Sequence, residues 1–239
     1  MLSKSTSKSK QRIRNEVWKK LLEVGVSKLT YGHIPIFKGQ EKAAQNLRKL
    51  QVYANAKRVF IPSDQAQYRA RVNAVEDGKT LIMATPGLKD GFYQVDRSVA
   101  NYRLAVQSHQ VSKHAKKLHT SYESIGKIDL LLTGAGAVSR QGERIGKGTG
   151  FFDKEYAILR EIGCVEEDTP IIALVHDLQV YDSLPFEEGK DVPVDYIVTP
   201  QKVIKVERRL SRPTGIDWDY VKKSNLARKM RPFKELLKF

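Results

Sequence analysis

The residues best suited to chemistry lie between positions 144 and 153, where glycines, basic side chains and a carboxylate occur close together. Three of them are glycines at alternate positions: Gly146, Gly148 and Gly150. Alternating glycines let the backbone adopt positive φ angles and approach a ligand closely, and successive amide N–H groups converge on an anion. Arg144 and Lys147 add positive charge, and Asp153 supplies a hard oxygen ligand of the kind that holds Mg²⁺ beside phosphate. The pattern predicts a cradle for a triphosphate and its metal ion.

This segment differs from the two commonest nucleotide-binding motifs, because it contains neither Gly-x-x-x-x-Gly-Lys-Ser/Thr nor Gly-x-Gly-x-x-Gly at a strand end. A flexible loop or a tight hairpin would also use alternating glycines. The order of Arg, Lys, two aromatic residues and Asp around the glycines favours phosphate binding over both alternatives.

The flanking sequence predicts the elements that position this glycine loop. Residues 128–133 form a short apolar run followed by glycines, which is typical of a buried strand. After Asp153, apolar residues recur at helical spacing at Tyr156, Ala157, Leu159 and Ile162. A helix that begins beside the loop adds the partial positive charge of its N-terminus to a bound phosphate.

The rest of the chain alternates strands with helices. Strand patterns cover residues 58–62, 80–83, 128–133, 170–175 and 194–199, and helix patterns cover 13–24, 41–50, 66–77 and 219–237, the last broken at Pro232. Such alternation predicts an α/β fold with a mainly parallel sheet covered on both faces. Residues 1–9 are mostly Ser and Lys and are predicted to be disordered. This leaves one α/β domain, residues 10–239, which ends in a basic helix.

The net charge of +15 is concentrated at the two ends of the chain. Residues 1–20 carry seven basic residues against one acidic residue, residues 202–239 carry twelve against four, and the middle is nearly neutral. Basic ends bind nucleic acid in a salt-sensitive way, solubilise a protein, or surround a polyanionic substrate.

One cysteine, Cys164, excludes an internal disulfide framework and fits a reducing cytoplasm. No apolar run reaches the length of a membrane span, and the charged N-terminus is not followed by the apolar core of a secretory signal. We therefore predict a cytoplasmic protein with no membrane partner.

The glycine loop and several shorter segments, taken in order, resemble the 5-formyltetrahydrofolate cyclo-ligase family, and especially its branch of methenyltetrahydrofolate synthetase domain-containing proteins. The similar segments are residues 34–39, 43–44, 78–79, 128–153, 176–179, 194–200 and 213–218. The loop is the specific part of this resemblance, which covers nearly the whole chain from about residue 10 onward. The resemblance implies a Rossmann-like three-layer α/β/α fold.

The resemblance also implies a reaction, the ATP- and Mg²⁺-dependent cyclisation of 5-formyltetrahydrofolate to 5,10-methenyltetrahydrofolate. Such phosphoryl transfer needs positioning and charge neutralisation more than a covalent nucleophile, so Arg144 and Lys147 are the candidate catalytic residues. Asp153 matches the family's Mg²⁺ ligand. The residues that match its ATP site are Lys10, Arg14, Arg144, Gly146, Lys147, Gly148, Thr149, Gly150 and Asp153. From the sequence alone, Lys10 and Arg14 fit a solvated basic helix face about as well.

The chain departs from the family at positions that contact folate. The family's Glu-x-x-Thr register makes Asp64 and Gln67 the candidate substrate-binding residues here. Phe151 and Phe152 replace the usual tyrosines, so they either pack against a pterin or adenine or anchor the following helix, without donating a phenolic hydrogen bond. The family's pterin-side tryptophan has no counterpart in residues 84–127.

Two functions follow from these observations. The leading hypothesis is a cyclo-ligase whose partners are ATP and a reduced folate, and the intact loop with Asp153 favours it. The alternative is a non-catalytic nucleotide-fold protein that binds RNA through its basic ends, which the folate-site departures and the charge distribution favour. A third hypothesis, a sugar-phosphate or CoA-ester enzyme, has less support, because its catalytic residues are not identifiable in this sequence.

Overall fold

The computed structural model describes residues 4–28, 31–207 and 210–237. The helices in these ranges are α1 (Lys4–Glu23), α2 (Gln40–Leu47), α3 (Gln51–Asn55), α4 (Tyr68–Glu76), α5 (Tyr102–Ala105), α6 (Val111–His114), α7 (Tyr122–Ile125), α8 (Phe151–Glu161), α9 (Trp218–Ser224), α10 (Leu226–Lys229) and α11 (Arg231–Leu236). The strands are β1 (Arg58–Phe60), β2 (Thr80–Ala84), β3 (Phe92–Val95), β4 (Lys116–Lys117), β5 (Leu130–Thr133), β6 (Ala137–Ser139), β7 (Arg144–Ile145), β8 (Ile171–Leu174), β9 (Val180–Tyr181), β10 (Tyr196–Val198) and β11 (Val203–Lys205). Within the same ranges, three 3₁₀ turns occupy Gln65–Gln67, Pro86–Leu88 and Asp177–Gln179.

Eight of the strands form one sheet in the order β11-β10-β8-β5-β1-β2-β3-β4. The five central strands, from β10 to β2, pair in parallel, with Phe60 of β1 opposite Leu131 of β5. The outer strands β11, β3 and β4 join antiparallel. The predicted α/β fold with a mainly parallel sheet is confirmed, and a small sheet of β7, β6 and β9 accompanies it.

Side chains of the central strands alternate between two hydrophobic cores. Leu131 of β5 packs with Tyr156 and Leu159 of α8, whereas its neighbours Leu130 and Leu132 belong to the second core, with α2 and α4. A strand that is buried on both faces needs apolar residues at every position, which explains the run of leucines. The first core therefore fixes α8, and with it the glycine loop that precedes the helix.

The N-terminal segment differs from its prediction. Residues 1–9 were expected to be disordered, but residues 4–9 belong to α1, and residues 1–3 lie outside the described part of the chain. Adding residues to an existing helix is far easier than starting one. Because Val17 and Leu21 anchor α1 in a hydrophobic cluster with Ala137 and Ile145, the Ser- and Lys-rich turns extend a helix that is already held.

The C-terminal segment is helical, as predicted, but Pro232 does not break it. The breaks occur at Asn225, which adopts a left-handed φ of 55° and ends α9, and at Met230, which is extended between α10 and α11. Pro232 lies in the first turn of α11, where the missing proline N–H removes no helical hydrogen bond.

Cys164 packs in the first core, and burial raises the pKa of its thiol to about 12. Its predicted role in packing agrees with this environment. Within residues 4–28, 31–207 and 210–237, no helix is long and apolar enough to cross a membrane.

Candidate active site

The glycine loop joins the small sheet to α8. β6 and β7 pair antiparallel, residues 146–150 form the loop, and α8 begins at Phe151. Gly148 and Gly150 have φ angles of 104° and 63°, a region that favours glycine. At Gly146 the constraint is steric, because a Cβ atom there would lie 3.1 Å from Nη1 of Arg144. The backbone therefore requires glycine at two of the three positions for its conformation.

Helix α1 brings two basic side chains to the loop. Nε of Arg14 donates a hydrogen bond to the carbonyl oxygen of Gly146 at 2.8 Å. One turn earlier, Nζ of Lys10 lies 2.5 Å from Oδ2 of Asp191. Lys10 is only 4% exposed, so it does not lie on a solvated basic face. The helix is therefore built into the site.

Arg144 is held in place from three sides. Its Nη2 donates to Oδ1 of Asp153, and its Nε donates to the carbonyl oxygen of Val192 at 3.2 Å. Its guanidinium carbon lies 4.7 Å from the ring centroid of Phe152. Asp153 also accepts a hydrogen bond from the Val192 amide at 3.2 Å. This network fixes the orientation of a buried cation and of the carboxylate beside it.

These residues border a cleft of about 180 Å³. Its wall consists of Lys10, Arg14, Arg144, Ile145, Gly146, Gly148, Thr149, Gly150, Asp153, Lys154, Asp191 and Tyr220. All nine predicted ATP-site residues are described by the structure, and eight of them meet at this wall. The exception is Lys147, whose Nζ lies 2.5 Å from Oδ1 of Asp64.

The cleft is electropositive. Its charged side chains are the cations Lys10, Arg14, Arg144 and Lys154 and the carboxylates Asp153 and Asp191, which gives a formal excess of two positive charges. Burial lowers the pKa of Lys154 and of Arg14, and the charges of nearby carboxylates oppose both shifts. A wall of this sign concentrates anionic ligands.

Sequence reasoning missed Lys154, Asp191 and Tyr220. Lys154 directly follows Asp153, and its Nζ donates to the carbonyl oxygen of Thr149 at 2.7 Å. Asp191 lies in the loop between β9 and β10. Its Oδ2 also accepts a hydrogen bond from the Glu187 amide at 2.7 Å. A basic residue after Asp153 was a usable signal for Lys154, but no local pattern marks Asp191 or Tyr220.

The predicted substrate-binding residues occupy different environments. Asp64 precedes the turn Gln65–Gln67 after β1 and pairs with Lys147. Gln67 ends that turn and is completely buried. Phe152 belongs to the first core, which matches the predicted alternative of a helix anchor, whereas Phe151 is half-buried. The Nζ atoms of two lysines approach the Phe151 ring.

Glu155 is a further group that the sequence did not indicate. It is 4% exposed on α8, and its Oε2 has no hydrogen-bond partner among the described residues. Burial, and to a smaller extent the charge of Asp64, raise the pKa of Glu155 to about 8, and the charge of Lys147 opposes the shift. The carboxyl group is therefore protonated at neutral pH in the folded protein.

The upward shift in the pKa of Glu155 predicts how the stability of the protein depends on pH. Between about pH 5 and pH 8 the unfolded chain ionises Glu155 while the folded protein keeps its proton, so Glu155 destabilises the fold increasingly as pH rises. Glu155→Gln removes that titration. Its stability relative to wild type should therefore increase with pH, by about 1.4 kcal/mol per unit, in denaturant unfolding experiments.

Tyr156→Phe, a buried change on the same helix, provides the control. Burial raises the pKa of Tyr156 above its usual value, so its hydroxyl stays neutral throughout this range and the difference from wild type should not vary with pH. If the difference in unfolding free energy between Glu155→Gln and the wild type does not vary with pH, the raised pKa of Glu155 is contradicted.

The fold and the cleft define an α/β protein with a basic, glycine-rich cleft. A solved structure from Aquifex aeolicus, 5,10-methenyltetrahydrofolate synthetase, matches with a TM-score of 0.55 at 19% identity, over 84% of this chain and 94% of that chain. This likeness concerns the fold alone.

The sequence comparisons are more specific. Residues 6–200 match the 5-formyltetrahydrofolate cyclo-ligase family. The methenyltetrahydrofolate synthase domain-containing protein of Homo sapiens is 34% identical over 220 residues, which cover 88% of this chain and 57% of that protein. The 5-formyltetrahydrofolate cyclo-ligase of Escherichia coli (strain K12) is 33% identical over 79 residues, 33% of this chain and 40% of that protein.

The chain therefore belongs to the 5-formyltetrahydrofolate cyclo-ligase family, which confirms the resemblance. It spans 57% to 59% of the length of the domain-containing relatives from cattle, human, mouse and zebrafish. These similarities give no support to the RNA-binding alternative.

Proposed function

We propose that this chain binds MgATP in the cleft and uses it to cyclise 5-formyltetrahydrofolate to 5,10-methenyltetrahydrofolate. The observation that carries the proposal is the meeting of Lys10 and Arg14, from the first helix, with the glycine loop and Asp153. Family membership supports the choice of substrate, since the family is named for it.

The cleft suits a triphosphate in charge and in backbone geometry. Its excess of positive charge opposes the negative charge of the phosphates. The loop leads directly into the first turn of α8, an eleven-residue helix, whose N-terminal amides and partial positive charge favour a bound phosphate. Lys10, Arg14 and Lys154 supply cations around that backbone, each held by a contact to Asp191, Gly146 or Thr149.

The two carboxylates of the cleft suit a metal ion held beside the phosphates. Asp153 and Asp191 both belong to its wall, and Mg²⁺ is usually bound by one or two carboxylates together with substrate phosphate oxygens. The donor set therefore fits Mg²⁺, with Asp153 and Asp191 as its ligands. When bound, Mg²⁺ would neutralise charge on the phosphates.

In the proposed reaction, the formyl oxygen attacks the γ-phosphorus and ADP leaves. N10 then attacks the activated formyl carbon and loses its proton, and inorganic phosphate leaves with the former formyl oxygen. Arg144, fixed by Asp153 and the Val192 carbonyl, stabilises the charge of the transferring group. Lys147 exchanges its contact with Asp64 for the same group.

We further propose that residues 10–239 form one domain with a Rossmann-like three-layer arrangement. The two cores, filled by alternate side chains of the central strands, support this organisation. The single buried thiol of Cys164 supports a cytoplasmic location.

Formation of the methenyl chromophore from 5-formyltetrahydrofolate, ATP and Mg²⁺ tests the function. Asp153→Asn should lower kcat/KM by about 100-fold, because it weakens the hold on Mg²⁺ and on Arg144, and losing one electrostatic contact to a transferring group costs about 2.7 kcal/mol. The amide oxygen still accepts from Arg144, so the fold is retained. Asp168→Asn, at an exposed position after α8, should leave kcat/KM unchanged. Wild-type protein without ATP-dependent turnover would contradict the proposal.

A further inference from the structure

One residue of the cleft wall comes from the C-terminal part of the chain. Tyr220 of α9 borders the cleft, whereas the residues that match the family are 6–200. The remainder of the wall, from Lys10 to Asp191, lies within that range. Tyr220 is therefore a contribution of the C-terminal segment to the site, and the family match assigns it no role.

Helix α9 is fixed on α8, the helix that begins at the glycine loop. Val221 is 2% exposed in the first core, and Trp218 packs against the same core. Nε1 of Trp218 and the Ile216 amide donate to the two carboxylate oxygens of Glu161, the last residue of α8, at 3.1 and 2.9 Å. The loop and Tyr220 are thus positioned by the same helix.

The backbone of Tyr220 is held in place, while its ring is open to solvent. Its amide donates to Oδ1 of Asp217, the residue that caps α9, at 2.9 Å, and its carbonyl oxygen accepts from Oγ of Ser224. Tyr220 is 46% exposed, although it borders a cleft. The ring therefore presents a flat apolar surface to a ligand at the mouth of the cleft, and the backbone behind it is already ordered.

The other residues of the wall suit phosphates and a metal ion rather than a base. They are Lys10, Arg14, Arg144, Ile145, Gly146, Gly148, Thr149, Gly150, Asp153, Lys154 and Asp191. The one large aliphatic side chain among them, Ile145, is only 1% exposed, so it offers a ligand little apolar surface. Within the described part of the chain, Tyr220 is the one aromatic residue of this wall.

The size of the cleft places a nucleotide base at its mouth. Cavities that enclose most of a drug-sized ligand have volumes of about 300–1,000 Å³, whereas this cleft has about 180 Å³. A cleft of that size accommodates a phosphate chain but not the whole of ATP, so the nucleoside extends to the rim. The exposed ring of Tyr220 lies at that rim.

We infer that Tyr220 stacks on the base of the bound nucleotide and so raises the affinity of the cleft for MgATP; the inference rests on the proposed function. Aromatic side chains stack on any base, because every base has a π-face. Tyr220 therefore contributes affinity without selecting adenine over guanine. Its ring is the part that acts, so phenylalanine is an adequate replacement.

The test measures the Kd of MgATP, MgGTP and magnesium tripolyphosphate, which has neither base nor ribose, by calorimetry. Tyr220→Ala should raise the Kd of both nucleotides about tenfold and leave that of tripolyphosphate within twofold of the wild type. Tyr220→Phe should bind all three ligands like the wild type. The control is Tyr122→Ala, which removes a ring of similar exposure, 48%, on α7 and outside the cleft wall; its Kd values should not change.

The outcomes separate the inference from the proposed function. Unchanged MgATP affinity in Tyr220→Ala overturns the inference and leaves the function intact. An equal loss for tripolyphosphate also overturns it, because Tyr220 would then shape the phosphate cleft instead of contacting the base. A wild type that binds MgATP without cyclising 5-formyltetrahydrofolate contradicts the function, and the same binding comparison still decides the role of Tyr220. A wild type that does not bind MgATP overturns both.

Discussion

A Gly148→Val protein should fold and lose at least 100-fold in MgATP affinity. Gly148 has a φ of 104°, which a β-branched residue resists. Its Cβ position lies 3.5 Å from the guanidinium carbon of Arg14, inside the cleft. Valine there would place methyl groups where the phosphates approach the backbone and would displace the Arg14 guanidinium. Calorimetric titration with MgATP measures the effect.

Backbone strain from a β-branched residue at positive φ would by itself lower the stability of Gly148→Val. The control variant therefore introduces the same strain at a glycine outside the cleft. Gly163, just after α8, has a φ of 74° and nothing within 4 Å of its Cβ position. Gly163→Val should therefore lose a similar amount of stability, roughly 1–2 kcal/mol, and bind MgATP normally. Retained MgATP affinity in a folded Gly148→Val protein would remove Gly148 from the binding site.

The sequence alone predicted the features that depend on residues close to one another in the chain. Glycines with a following apolar helix predicted the loop and α8, and apolar runs such as residues 128–133 predicted the central strands. The edge strands were missed because their signal is short: β4 has two residues, both exposed lysines. Edge strands gain less from burial, so their sequences need not be continuously apolar.

Contacts between residues far apart in the chain could not be predicted from the sequence. Lys10 and Asp191 are 181 positions apart and meet only because α1 packs on the small sheet. Lys147 was read as a phosphate ligand, yet its partner in the structure is Asp64. Glu155 was overlooked for a different reason: a glutamate is ordinarily assigned to the solvent side of a helix, and its burial follows from the packing of α8.

Lys10→Ala should both destabilise the fold and lower kcat/KM by about 100-fold. The Lys10 side chain is 5% exposed and that of Asp191 15%, and removing one partner of a buried ion pair costs about 3 kcal/mol. The catalytic loss has a separate cause, the missing cation beside the phosphates. Lys20→Ala, exposed on the same helix, should change neither unfolding free energy nor turnover.

A double variant separates these two effects. Lys10→Ala with Asp191→Asn removes both charges, so no unpaired carboxylate remains and much of the unfolding free energy should return. Activity should not return, because the cleft then has neither the Lys10 cation nor the Asp191 carboxylate. A purely structural role for Lys10 predicts instead that the double variant turns over as fast as Asp191→Asn alone, whereas a missing catalytic cation makes it slower than that single variant. Denaturant unfolding and the methenyl chromophore assay, measured on the same preparations, distinguish the two results.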